Sequence, residues 1–159
     1  MIRIRPATVQ DADLILTWEN DPRIWSITDQ PGPFDRSDII HFLASANNLD
    51  RHGQARWIIE DNNASIGMLD FFEFNRENNS VGLGIIIMEE EKRSKGAGAR
   101  ALTLIENDLS LSHKIQLIWV LVHTSNTKAA NFFIRNGYLR KVKLNHLGKE
   151  VEKFEKYLK

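Results

Sequence analysis

The chain has 159 residues, enough for one domain with its own core, and its 21 basic and 21 acidic side chains cancel, leaving no net charge to draw it to nucleic acid or an anionic membrane. It has no cysteine, which excludes disulfides, thiolate metal sites and a cysteine nucleophile. The first residues lack the apolar centre of a signal peptide, and no apolar run nears the ~20 residues that cross a bilayer, so a soluble cytoplasmic protein is expected.

Residues 2–5 alternate apolar and basic side chains as a strand does, and Pro6 ends it. Residues 11–20 predict a helix capped by Asp11, with Leu14, Ile15 and Trp18 at helical spacing. Asp21-Pro22 interrupts it before a helical turn at 23–26 and a loop at 30–33. A second helix at 35–46 places Ile39, Phe42, Leu43 and Ala46 on one face. Residues 47–53 are polar and predict a loop.

Segments 55–60, 65–74 and 81–88 then predict an antiparallel meander, with polar turns at 61–63 and 75–79. Gly82 and Gly84 leave one face of the third meander strand bare, with room for something against its backbone. Residues 96–110 form an amphipathic helix through Ala101, Leu102, Ile105 and Leu109. The nearly continuous apolar run at 115–122 predicts a strand covered on both faces. A last helix at 127–136 turns Ala129, Ala130 and Phe133 inward and ends at Gly137, and 139–144 with 150–158 predicts a hairpin. The order β-α-α-β-β-β-α-β-α-β-β makes residues 1–159 one α/β domain with a mixed sheet. Exposed strand edges in the tail allow a homodimer.

The junction at 85–100 is the most chemically suggestive stretch. An apolar strand runs through a charged turn into a loop holding Arg93, Lys95, Gly96, Gly98 and Arg100, and then into a helix. The first N–H groups of a helix lack internal partners and lie at the positive end of its dipole, so such a junction suits an anion. Glycine lets that backbone approach a phosphate closely. A turn that binds nothing is the plain alternative. A P-loop is excluded, because the G-x-x-x-x-G-K-[ST] spacing is absent.

These residues resemble the GCN5-related N-acetyltransferase (GNAT) superfamily. Its acetyl-CoA loop, Arg or Gln, two residues, Gly, one residue, Gly or Ala, reads here Arg93-Ser94-Lys95-Gly96-Ala97-Gly98. A second signature reads Asn126, Ala129, Phe132-Phe133 and Gly137-Tyr138. The stretch at 16–22 is similar to the branch of ribosomal-protein N-terminal and spermidine acetyltransferases, and the acid-bearing strand at 67–75 resembles the spermidine enzymes. The resemblance implies a mostly antiparallel sheet splayed between its fourth and fifth strands and flanked by about four helices. It implies acetyl-CoA as co-substrate, with pantetheine on the backbone of Ile86, Ile87 and Met88. The pyrophosphate would lie on Arg93, Ser94, Lys95, Gly96, Ala97, Gly98 and Ala99, with Asn126 and Phe133 completing the cofactor site. The plain alternative for Asn126 is the cap of its helix.

Two departures stand out. Phe133 occupies a position that is commonly Tyr, so the usual proton donor is missing, and Gly82 stands where many relatives carry Glu. An alkyl amine with a pKa near ~10.4 costs roughly 4–5 kcal/mol to deprotonate at neutrality, so a base or an acid-lined site matters. The candidates are Glu73 and Asp70, which an odd spacing should point to opposite faces, Glu19 at the end of the first helix, His123 at a strand end, and Tyr138. Trp25 is a candidate substrate contact. No histidine pair has metal-ligand spacing, so no metal is expected. The expected activity is acetyl transfer to a primary amine, a polyamine-like molecule or a peptide α-amine, by direct attack on the thioester. The alternative, suggested by Phe133 and Gly82, is an acyl-CoA-binding protein that has lost catalysis.

Overall fold

The computed structural model describes residues 1–25, 33–93 and 95–159, without the side chains of Trp25 and Glu90. Seven strands form one sheet: β1 (Ile2–Pro6), β2 (Ala55–Asp61), β3 (Ala64–Asn75), β4 (Ser80–Ile87), β5 (Leu117–His123), β6 (Leu139–His146) and β7 (Lys149–Tyr157). Their spatial order is β1-β2-β3-β4-β5-β7-β6, and every pairing is antiparallel except the parallel pairing of β4 with β5. The longer helices are α1 (Ala12–Glu19), α3 (Arg36–Ser45), α5 (Ala97–His113) and α6 (Thr127–Arg135); α2 (Pro22–Trp25) and α4 (Leu49–His52) are single turns. The expected order and mixed sheet are present.

The sheet carries a core on each face. On one side Ile59, Leu69, Leu83, Ile118 and Phe154 pack with Leu102, Ile105 and Leu109 of α5 and Phe133 of α6. On the other, Ile58, Met68 and Met88 pack with Ile15 and Trp18 of α1 and Leu43 of α3. Ile58 and Ile59 are neighbours pointing to opposite faces, and both are fully buried. That accounts for the unbroken apolar run in β2, where removing either side chain to Ala would cost about 2–5 kcal/mol.

Several expectations are corrected. Residues 47–53 are not all loop: Asn48 Oδ1 accepts from Arg51 N at 2.9 Å, and Gly53, at φ 71°, stops the single turn α4. One turn is too short to show periodicity. Asp11 does not cap α1; its carboxylate turns back to Thr8 N at 2.8 Å and to both terminal nitrogens of Arg5 at 2.8 Å. Strand β5 is covered on one face only: Ile118, Val120 and Val122 are buried, whereas Leu117, Trp119 and Leu121 are half-buried. The bare face of Gly82 is not open either, because a Cβ there would lie 2.3 Å from Phe72 Cε2 and 2.9 Å from Trp119 Cζ2. Gly84 does keep its open face among the described residues, of which a Cβ there would meet only Asp70 Cβ, at 3.8 Å.

The loop expected at 30–33 lies outside the described residues except for Pro33. Asn20 holds the returning chain beyond it, donating through Nδ2 to Phe34 O at 3.2 Å and accepting from Phe34 N at 2.5 Å. No helix among the described residues is long and apolar enough to cross a membrane.

Candidate active site

Strands β4 and β5 pair only at Ser80↔Leu117, Val81↔Ile118 and Gly82↔Trp119, yet β4 continues to Ile87 and β5 to His123. Beyond Gly82 the sheet opens into a gap. Which backbone groups of β4 face it follows from ladder alternation. Asn79 O accepts from Leu117 N on the β5 side, while Met88 N donates to Ile66 O on the β3 side, at 2.7 Å. Odd residues of β4 therefore address β5 and even residues address β3. Ile85 and Ile87 present N–H and C=O to the gap; Ile86 and Met88 spend theirs on β3. Ile87 O is met there by Arg93 Nε at 2.7 Å.

Past Ile87 the chain turns into α5, a helix of 17 residues whose first N–H groups have no partner within the helix. Its N-cap is Gly96 at φ 86°, and a Cβ there would meet none of the described residues within 4 Å. Lys95 and Arg93 are exposed beside it, Ala97 is buried in the core and Ala99 is half-buried. Gly98 differs from Gly96: a Cβ on it would lie 3.2 Å from Phe132 Cε1 and 3.9 Å from Ile87 Cγ1. Its missing side chain lets α5 close on α6 and β4. Ser94 lies outside the described residues, and so does the side chain of Trp25.

On α6, Asn126 Oδ1 accepts from Ala129 N at 3.2 Å, a helix cap. Phe133 is 6% exposed, with ring centroids 5.2 Å from both Phe132 and Tyr138. Tyr138 is 1% exposed, and its hydroxyl donates to Glu106 Oε2 at 2.8 Å. Burial and the Glu106 carboxylate push this phenol far above its ordinary pKa. Lys156 Nζ completes the cluster, 2.9 Å from Glu106 Oε1 and 3.0 Å from Asn136 O. Lys156 and Glu106 thus tie α5 and the end of α6 to β7, and the Tyr138 hydroxyl spends its proton on Glu106.

The acidic candidates do not all converge. Glu73 sits at φ 52°, in an irregularity of β3 between Phe72 and Asn75, so the odd-spacing argument fails for it. It lines an open cleft of about 750 Å³ with Trp119, Lys153 and Glu155. The edge-to-face pair of Phe72 and Trp119, across Gly82, stands between that cleft and Gly84. His123 ends β5 at the open end of the gap, its carbonyl accepting from Asn126 N at 2.8 Å.

Asp70 and Glu19, by contrast, are brought together by Arg56, a residue not singled out from the sequence. Arg56 Nε lies 2.6 Å from Asp70 Oδ1 and Nη2 2.9 Å from Oδ2, while Nη1 lies 2.9 Å from Glu19 Oε1. Burial pushes the Glu19 carboxyl up, against the opposing pull of Arg56. The signal was available: Arg56 shares the inward face of β2 with Ile58, and a guanidinium there requires acid partners. Among the described residues no three His, Cys, Asp or Glu side chains group as a metal would need.

The fold has counterparts among known proteins. A family model, the acetyltransferase (GNAT) domain, matches residues 2–139. Among solved structures, spermidine N-acetyltransferase from Vibrio cholerae with CoA and spermine superposes with a TM-score of 0.84 at 20% identity, covering 98% of this chain and 95% of that one. A ribosomal α-N-protein acetyltransferase with coenzyme A gives 0.86 at 14% identity, covering 99% and 94%. An aminoglycoside acetyltransferase with coenzyme A gives 0.83 at 15%, covering 99% and 95%. No curated protein sequence matches the chain. The match to the family model over most of the chain, on a sheet splayed in this way, establishes that it belongs to the GNAT acetyltransferase family.

Proposed function

We propose that this protein is an acetyl-CoA-dependent N-acetyltransferase acting on a primary amine, either a small polyamine-like molecule or a peptide α-amine. The observation that carries this reading is the gap: β4 stops pairing with β5 after Gly82, with Ile85 and Ile87 turned into the opening and Gly96 open at its end. Backbone groups left unpaired inside a sheet call for a partner, and an extended amide-bearing chain supplies one. Of Ile86, Ile87 and Met88, only Ile87 offers its backbone to such a chain, and Ile85 joins it. For Ile87 O to serve, Arg93 must leave it, and Arg93 with Lys95 then adds charge for the pyrophosphate on the N–H groups of residues 96–99. Asn126 keeps its amide nitrogen for the cofactor while its oxygen caps α6. Phe133 contributes only as the buried wall behind Phe132.

Acetyl-CoA supplies an activated acyl group. The acceptor ammonium gives up a proton to water, its nitrogen bonds to the carbonyl carbon as the carbon–sulfur bond breaks, and the departing thiolate takes up the second nitrogen proton. Of the five candidates, Asp70 and Glu19 lie on the face that keeps Gly84 bare, so they are assigned to the acceptor. The three acetyltransferases of like fold are named for spermidine, a ribosomal protein and an aminoglycoside, all of which carry amines.

The test is thiol release from acetyl-CoA with a panel of polyamines, aminoglycosides and peptide N-termini. Turnover with one amine class is expected. Tight acetyl-CoA binding without turnover on any amine would leave an acyl-CoA-binding protein, and no binding at all would sink both.

A further inference from the structure

Arg56 on β2, Asp70 on β3 and Gly84 on β4 stand directly opposite one another across two antiparallel ladders, so they share one face of the sheet. The row ends at the strand that borders the gap, and there Gly84 leaves open ground beside Asp70 among the described residues. Arg56 is fixed before it meets either acid. Asn47 Oδ1 accepts from Arg56 N at 2.6 Å, and Asn47 Nδ2 donates to Ala7 O at 2.9 Å and Arg56 O at 3.2 Å. Its guanidinium then grips Asp70 with two nitrogens and Glu19 with the third.

Stability does not explain such a triad. Buried charges lose hydration that mutual attraction hardly restores, and apolar side chains of similar volume often do as well or better. The three members are also unequally placed: the side chain of Asp70 is 39% exposed, that of Arg56 18% and that of Glu19 11%. Asp70 is the one a ligand reaches, and Glu19 lies behind it. Asp70 with Arg56 alone would be a neutral pair. Glu19 adds a second carboxylate to one guanidinium, which leaves the ionised triad with one net negative charge.

Building on the acetyltransferase reading above, we propose that Arg56 is a positioning residue that holds Asp70 beside Gly84 at the acceptor side of the gap, and that Glu19 gives the triad the negative charge by which a cationic acceptor is selected over an anionic one. Asp70 meets the acceptor. Arg56 and Glu19 act through it, one by geometry and the other by charge.

The experiment compares hexamethylenediamine with ε-aminocaproate, amines of equal chain length whose far ends carry opposite charge. Acetyl-CoA affinity is first measured by calorimetry, and kcat and KM are then obtained by thiol release. The unaltered protein should prefer the diamine by roughly tenfold or more in kcat/KM. Glu19→Gln, which makes the triad neutral, should shrink that ratio by about tenfold through the diamine's KM, with acetyl-CoA affinity unchanged. Arg56→Lys keeps the charge but loses the two-pronged grip, so it should lower kcat for both amines and leave their ratio in place. Asp70→Asn, at the most exposed member, repeats the charge test should Glu19→Gln fail to fold. An unchanged ratio in the charge variants, with acetyl-CoA still bound, overturns the inference. Failure of the unaltered protein to bind acetyl-CoA overturns the acetyltransferase reading instead, and that is known before any amine is added.

Discussion

Gly96 and Gly98 lie two residues apart in one loop and lack side chains for different reasons. Gly96 needs its glycine for the backbone, at φ 86° with no described residue within 4 Å of where a Cβ would lie; Gly98 needs it for packing against Phe132. Gly96→Val should therefore cost about 1–2 kcal/mol in stability through left-handed strain, and it should weaken acetyl-CoA binding by crowding the helix N-terminus. Gly98→Ala should disturb α5 against α6, lowering the melting temperature more than the affinity. Calorimetric titration beside thermal unfolding separates the two; equal losses of affinity in both variants would count against placing the pyrophosphate at Gly96. Phe133→Tyr extends the same reasoning. Its ring is buried between Phe132 and Tyr138, so an added hydroxyl without a partner should cost about 1–3 kcal/mol and bring no gain in kcat. A large rate gain would show that the position reaches the thioester. The loop was legible in the sequence because glycine and charge are local signals. Arg56 was not legible in this way, because its acids come from α1 and β3 and only the folded sheet brings them to it.

The elements follow the sequence where an apolar pattern is long and depart from it where a short polar contact decides. The meander, α5, α6 and the terminal hairpin were readable from periodicity. The turn α4 was not, because Asn48 and Gly53 make it without any repeating face. Strand β5 misled for another reason: its outer residues Leu117, Trp119 and Leu121 are apolar like its core residues, so composition alone suggested two covers. At the start of α1 the expected cap became an ion pair, and that has a consequence with pH. Arg5 beside Asp11 holds its carboxyl below the usual carboxylate range. The unfolded chain then takes up this proton first, so the contact's contribution is complete above about pH 4 and is lost as pH falls through the lowered value. Glu19 has the opposite sign, because burial pushes it up and its ionised form is disfavoured in the fold. Its contribution is present at low pH and lost as pH rises through the raised value. Urea unfolding across pH should show Asp11→Asn flattening the acid limb of stability and Glu19→Gln removing a slope that lies above it. A full acid limb in Asp11→Asn would mean that other carboxylates set it.

At the scale of the whole molecule, the sheet is continuous from β1 to β4 and from β5 to β6, and only three residue pairs join the two halves. Two cores hold it, one behind α5 and α6 and one under α1 and α3, and the first of them spans the gap through Ile85, Ile87, Phe132 and Ile118. The halves are thus bound by side chains on one face while the backbone between them stays open. A molecule lying in the opening would supply the missing backbone partners and bridge both halves. The amides should report this directly by hydrogen exchange. Without ligand, those of Ile86 and Met88 should exchange slowly, because they bond to β3, and those of Ile85 and Ile87 should exchange fast. Saturating acetyl-CoA should slow the second pair and leave the first unchanged. At a hundredfold excess over Kd, binding should add about 2.7 kcal/mol, which raises the melting temperature by roughly 5–10 °C for a chain of this size. A thermal shift without protection at Ile85 and Ile87 would put the cofactor somewhere other than the gap, and protection confined to residues 95–99 would mean that only the pyrophosphate end is held.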